Sequence, residues 1–501
     1  MFHVKHQQIH IKINLGGIEV RKIKKAISIM LLAASLAMTS CAGRTYASHN
    51  ADAFSRPEDS ETVNPVKYEQ LSAGELLAEL PDVNYGGYRF VIMSTEAGRF
   101  ASAENHAGIV NPMIEKRNEE IQRKYNVSIV ETVASETKMI DKLRASNLAG
   151  TQYADLVSLS ADTASMLAAE GCLMNLYSVP YFNYNNGYSD PDVTSRSTAK
   201  DEMYVLYDPA SLYFDGYECA LVNLSLLPAG AKQELIDHVN NGTWTWDALL
   251  QYAENACTTL EKRSPDYAND IFGYASYENI DVLKQIMFVG GGYSFFGDVC
   301  HKNFEYTIDP TVADDVASRI KGYVDSKSHL GFYGKEGSDI FTSGRCAFMI
   351  APLNYLIALN DVNFDWIVLP YPKFNADQEY LTCISKMAYG ISVPENQKNS
   401  IRTGSILRAI RASSSVGYDN AIFSNYTTFY LRDNESAVML GKVLQTKPVT
   451  DVMLLFCEGN SNFANVSRGT LLEAIDSGKE FEYLFKLNAQ SVERLNTNGL
   501  K

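Results

Sequence analysis

The chain has 501 residues, 46% of them hydrophobic and 21% charged, with a net charge of −15. Residues 1–40 hold six Lys or Arg against one Glu, so the remainder carries −20, which argues against a nucleic-acid partner and its need for a basic face. The composition is that of an ordinary globular protein, and the length suggests two to three domains of ~150 residues.

Arg21, Lys22, Lys24 and Lys25 precede an uncharged run, 26–37, and then small residues up to Cys41. That order predicts an export signal over residues 1–40. The run is too short to cross a bilayer, which takes about 20 apolar residues. Met38-Thr39-Ser40-Cys41 resembles the bacterial lipobox, with Met38 where Leu is usual. The resemblance implies lipidation of Cys41 and an extracytoplasmic, membrane-anchored mature chain. Residues 1–20 do not fit a signal's charged start, and initiation near Val20 would account for them. Residues 41–84 read as a tether, polar and without apolar period, with a short helix near 70–80.

A strand is expected at 88–93, a helix at 110–125, a strand at 127–132, a helix at 135–149, a strand at 155–159 and a helix from 163. Strands alternating with helices of this length imply a parallel α/β sheet. Ligands of such sheets sit beyond the carboxyl ends of the strands, here 94–98 and 158–162. Strands are then expected at 202–207 and 220–223, separated by the aromatic cluster Tyr207, Tyr213, Phe214 and Tyr217. Thr243 or Thr245 would cap a helix beginning near Trp246. Further on come a strand at 273–276, helices at 282–289 and 311–326, and strands near 346–350, 364–372 and 388–394. A helix at 400–412 leads into a mostly helical C-terminal part.

Taken in that order, several segments resemble the extracellular solute-binding proteins of ABC importers, in the cluster that includes the maltose-binding protein. They are Tyr153-Ala154-Asp155-Leu156-Val157 with Gly171 to Leu176, Trp244-Thr245-Trp246-Asp247, Gly291-Gly292-Tyr293, Phe341 to Pro352, Phe364 to Pro372, and Ala388 to Pro394. Two departures stand out: Ala351 replaces a usual glycine, and Leu353 stands where sugar-binding members often carry an aromatic residue. The resemblance implies a two-lobe α/β fold of the periplasmic-binding-protein, maltose-binding-protein type, with hinge crossings. The first lobe would be 85–215 plus 386–440. The second would be 216–385 plus the C-terminal 441–501.

The groove between such lobes would collect Glu96, Ser160, Asp162 and Asn354 as polar contacts. Tyr213, Phe214, Tyr217, Tyr293, Phe295 and Tyr355 would be its aromatic ones, since aromatic faces stack on sugars and tyrosine adds a hydroxyl. Packing is the competing role for each aromatic residue, and helix capping for Asp162. Glu218, beside a crossing, is expected to be a solvated hinge residue, with a grip on hydroxyls or a cation as the alternative. The expected ligand is a small polar solute, an oligosaccharide first, delivered by a monomer to ABC transporter membrane subunits. A secreted glycosidase is the alternative from another class, and a sensor subunit a third.

No enzyme motif supports the glycosidase: G-x-x-x-x-G-K-[ST], G-x-S-x-G, H-E-x-x-H and G-x-G-x-x-G are all missing from the sequence. No cofactor or metal is indicated. Apart from Cys41 there are seven cysteines with no C-x-x-C pair, expected to be buried thiols.

Overall fold

Two separate four-stranded sheets organise the protein, and the chain crosses between them. The computed structural model describes residues 77–78, 80–101, 110–182, 188–262, 264–386, 388–415 and 418–499. The export signal, the alternative start, Cys41, the tether to residue 76 and most of the helix expected at 70–80 lie outside the described residues. Those described belong to one unit, Pro65–Lys501.

The first sheet is built from β1 (Tyr88–Ser94), β2 (Val127–Val133) and β3 (Leu156–Ser160), joined late by β9 (Tyr389–Ser392). Its order is β2-β1-β3-β9. β1 pairs in parallel with β2 over its whole length and with β3, as helices α1 (Val110–Tyr125) and α2 (Glu136–Ala149) between the strands require. Ile114, Ile121 and Tyr125 turn one face of α1 to the core, each 0% exposed. α2 stops at Gly150, whose φ of 60° suits a residue without a Cβ.

The three strands expected to be parallel are so, and the returning strand β9 lies antiparallel on β3. It arrives from far along the chain rather than through a crossover helix. The strand expected at 202–207 is absent. Leu206 and Ile391 exchange both backbone hydrogen bonds, at 2.9 and 3.0 Å, but the pairing is confined to that bridge. Asp208 then caps a turn at Pro209, and the chain leaves the sheet.

The second sheet has the order β5-β6-β4-β7, formed by β4 (Glu218–Asn223), β5 (Phe272–Ser276), β6 (Cys346–Pro352) and β7 (Trp366–Pro370). Every residue of the four is buried, so the strands read as mostly apolar rather than alternating, with Glu218, Asn223 and Ser276 the polar residues at strand ends. β4 is antiparallel to both neighbours, and β5 parallel to β6. Thr245 caps the helix Trp246–Ala256 by accepting from the Ala248 N–H at 3.2 Å. The helix Ile280–Gly290 is buried from Val282 onward. A short parallel pair, β8 (Leu381–Cys383) with β10 (Lys447–Val449), stands apart from both sheets. The seven described cysteines are free, six of them buried and Cys257 half-buried.

Candidate functional site

The chain leaves the first sheet at 216–218 and returns to it at 384–388, and these two crossings are bonded to each other. Tyr217 and Ile384 form an antiparallel bridge. The Ser385 N–H donates to the Gly216 carbonyl at 2.7 Å, and the Ile384 N–H to the Val449 carbonyl at 2.9 Å. Gly216 is required here: a Cβ would come within 2.3 Å of the Ala388 Cβ. Around this paired ribbon the structure gathers most of the residues singled out from sequence.

Tyr213, Phe214 and Tyr217 pack ring against ring, with centroids 4.4 to 5.6 Å apart. They are 5%, 6% and 1% exposed, so in this conformation they are interior. The Leu353 N–H donates to the Tyr217 carbonyl at 2.8 Å, which brings the turn carrying Asn354 and Tyr355 against the first crossing. Asn354 is exposed. Tyr355 is buried, its hydroxyl 2.6 Å from Ser338 Oγ and its ring 5.6 Å from Tyr277.

Glu96 lies in the loop after β1, exposed, and pairs with Arg99 at 3.5 Å. Arg99 is buried and reaches Asp215 at 3.4 Å, the Ser211 carbonyl at 2.9 Å and the face of Tyr389 at 5.8 Å. The Tyr426 hydroxyl donates to Asp215 at 2.8 Å. Burial raises the Asp215 carboxyl above its usual range, and Arg99 opposes that shift.

Ser160, at the end of β3, caps the helix α3 (Ala161–Ala169), and its own N–H and Oγ donate to Glu136 Oε1 at 3.0 and 2.8 Å. Capping thus belongs to Ser160. Asp162 instead meets Lys386 of the return crossing at 2.9 Å. Lys386 is 4% exposed and also faces Glu458 at 4.0 Å, which Arg468 pairs in turn. Glu458 follows the short helix Val452–Phe456, which packs on α3.

Glu218 is 1% exposed, so the expectation of a solvated hinge residue is corrected. Glu218 opens β4, paired there with Pro352 of β6 alone.

Tyr293 and Phe295 fall in other aromatic groups. Tyr293 packs on Phe288 and Phe374 and accepts from Asn375 Nδ2 at 3.1 Å. Phe295, 2% exposed, packs among Phe288, Phe296, Phe481 and Phe485 with rings tilted or edge-on.

Sequence reasoning missed Arg99 and Lys386. A lone cation in a stretch of small and apolar residues, as in Cys383-Ile384-Ser385-Lys386, is the signal that could have marked the latter. Among the described residues no cluster of His, Cys, Asp or Glu is arranged to hold a metal ion, and no helix is long and apolar enough to cross a membrane.

The family model for bacterial extracellular solute-binding proteins matches residues 116–415. No curated protein sequence matches. Solved structures that are similar include an ABC substrate-binding protein from Listeria monocytogenes in complex with cycloalternan, 14% identical, covering 81% of this chain and 98% of that one at a TM-score of 0.46. The GacH receptor of Streptomyces glaucescens, solved unliganded and with acarbose, is 14% identical over 82% of this chain and 99% of its own, at 0.47. UgpB from Mycobacterium tuberculosis, in complex with glycerophosphocholine, is 13% identical over 83% and 100%, at 0.49.

Proposed function

Because the chain belongs to the family of bacterial extracellular solute-binding proteins, we propose that it captures a neutral oligosaccharide between two lobes and passes it, unaltered, to the membrane subunits of an ABC importer. The observation that carries this reading is the bonded pair of crossings between the two sheets, with Tyr213, Phe214 and Tyr217 packed beside the first. Hinge closure around a ligand uses a few residues at the ends of elements, and Gly216, Tyr217, Ile384 and Ser385 hold that position. The lobes divide near 215, 385 and 440. When they part, the aromatic trio and Tyr355 become the apolar floor for a sugar, while Glu96, Arg99, Asp162 and Asn354 take its hydroxyls. The charge of −20 beyond residue 40 disfavours an anionic solute. Cys41 carries the lipid, and the mature protein acts outside the cell as a monomer.

The test is calorimetric titration of the purified protein with neutral oligosaccharides, amino acids and polyamines, alongside an assay for reducing-sugar release. The expected result is saturable uptake of an oligosaccharide that is recovered intact. Binding of a non-sugar alone sinks the sugar assignment, and release of reducing ends sinks the binding-protein reading. For the anchor, Cys41→Ala is expected to shed the protein into the medium; retention on membranes would overturn lipidation there.

A further inference from the structure

Among the described residues, two carboxyl groups meet at the crossings without a cation bonded to either. Glu218 opens β4 and is 1% exposed; Glu278, just past β5, is 9% exposed. Ser385 Oγ donates to Glu278 Oε1 at 2.9 Å and is also hydrogen-bonded to the Glu218 carboxyl. A serine hydroxyl has one hydrogen to donate. Given to Glu278, it leaves Glu218 to bring its own proton to the second bond. The other Glu218 oxygen, Oε1, is buried with no hydrogen-bond partner, and an ionised oxygen so placed is costly. Burial, and then the neighbouring Glu278, push Glu218 well above the usual carboxylate range, and burial raises Glu278 as well.

The groups around the pair do not supply the missing charge. Cys219, Cys383 and Tyr371 face Glu218 and are themselves held neutral by burial. Asp451, which acts on Cys383, is raised by burial. Lys386 and Asp162 act on Glu278 only through their charge, and Lys386 is already engaged by Asp162 at 2.9 Å.

We propose that Glu218, Ser385 and Glu278 form a proton-held clasp at the crossings, uncharged while the two halves are together and ionised when they part. The closed form then binds protons more tightly than the open one. Closure is favoured in full below the ordinary Glu value, about pH 4.3. It weakens as pH rises through the raised values of the closed form. Each pH unit within that window costs about a tenfold loss in the closed population for each carboxyl involved. The clasp rests on the reading that the two halves move.

The test uses the purified full chain. Infrared spectra at neutral pH are expected to hold the C=O absorption of protonated carboxylic acids, weakened in Glu218→Gln and again in Glu278→Gln. Small-angle scattering of the unliganded protein is expected to show a radius that grows as pH rises above the ordinary Glu value, about 4.3. The radius of Glu218→Gln should change with pH less steeply than that of the unaltered protein. Glu278→Gln serves as the second variant should the first fail to fold. No protonated carboxyl at neutral pH, a band undiminished by either substitution, or a band abolished by added calcium would overturn the clasp. A radius insensitive to pH overturns it too. Should saturating oligosaccharide also leave the radius unchanged, the failure lies in the moving halves, on which the infrared result does not depend.

Discussion

Asp208 and Arg411 are both 0% exposed and meet at 2.7 Å. Asp208→Ala leaves a guanidinium in the interior without its carboxylate, a loss of about 3–5 kcal/mol, to be read from urea unfolding. Lys386 is a different case, because its partner Asp162 is 43% exposed and water screens the pair. Lys386→Met is therefore expected to cost only about 1 kcal/mol. Tyr217 separates packing from ligand contact. Tyr217→Ala should cost about 3–5 kcal/mol from lost packing alone, so a binding defect in that variant says little. Tyr355→Phe is cleaner: it removes the hydroxyl beside Ser338, about 1 kcal/mol, and keeps the ring, so oligosaccharide binding on that apolar face should persist. A clear loss of affinity would overturn the apolar-floor role and make the hydroxyl the contact. Residue types at strand ends pointed to Ser160 and Asp162 from sequence. Which of them caps the helix and which pairs with Lys386 depended on a crossing hundreds of residues downstream, and no local pattern encodes that.

Among elements, the segment just past the short helix Val452–Phe456 is bonded to α3: the Gly459 N–H donates to the Ser165 side-chain Oγ at 2.8 Å. A Cβ on Gly459 would sit 2.3 Å from the Ser165 carbonyl oxygen. Gly459→Ala is expected to destabilise by about 1–3 kcal/mol through overpacking. Hydrogen exchange should quicken in 452–459 and α3 together, whereas a change confined to one of them would contradict the contact. Most elements were legible in the sequence because their apolar residues repeat at 3.6 or run unbroken: α1 keeps its expected bounds of 110–125. The direction of β9 was not legible. A strand buried on both faces has the same composition whichever way it runs. The strand expected at 202–207 failed because one good bridge with Ile391 ends where Asp208 and Pro209 begin a turn.

For the whole molecule, a ligand at one hundred times its dissociation constant should stabilise the fold by about 2.7 kcal/mol, visible as a raised thermal midpoint. A reducing agent should leave that midpoint unchanged, since the seven described cysteines are free; a fall would reveal a disulfide. The order of segments from Tyr153 to Arg411 was enough to suggest the family, and the family model covers residues 116–415. Burial of the aromatic candidates was beyond that order. The ring packing of Tyr213, Phe214 and Phe295 is set by which faces meet, and the same aromatic loops could have lined open water or filled an interior.

The bonds between Gly216 and Ser385, Tyr217 and Ile384, and Leu353 and Tyr217 lie in the backbone. A lattice of main-chain bonds resists shear far more than twist. Any opening therefore pivots about one fixed line, and a side-chain change nearby alters how readily the molecule swings but not the direction in which it does.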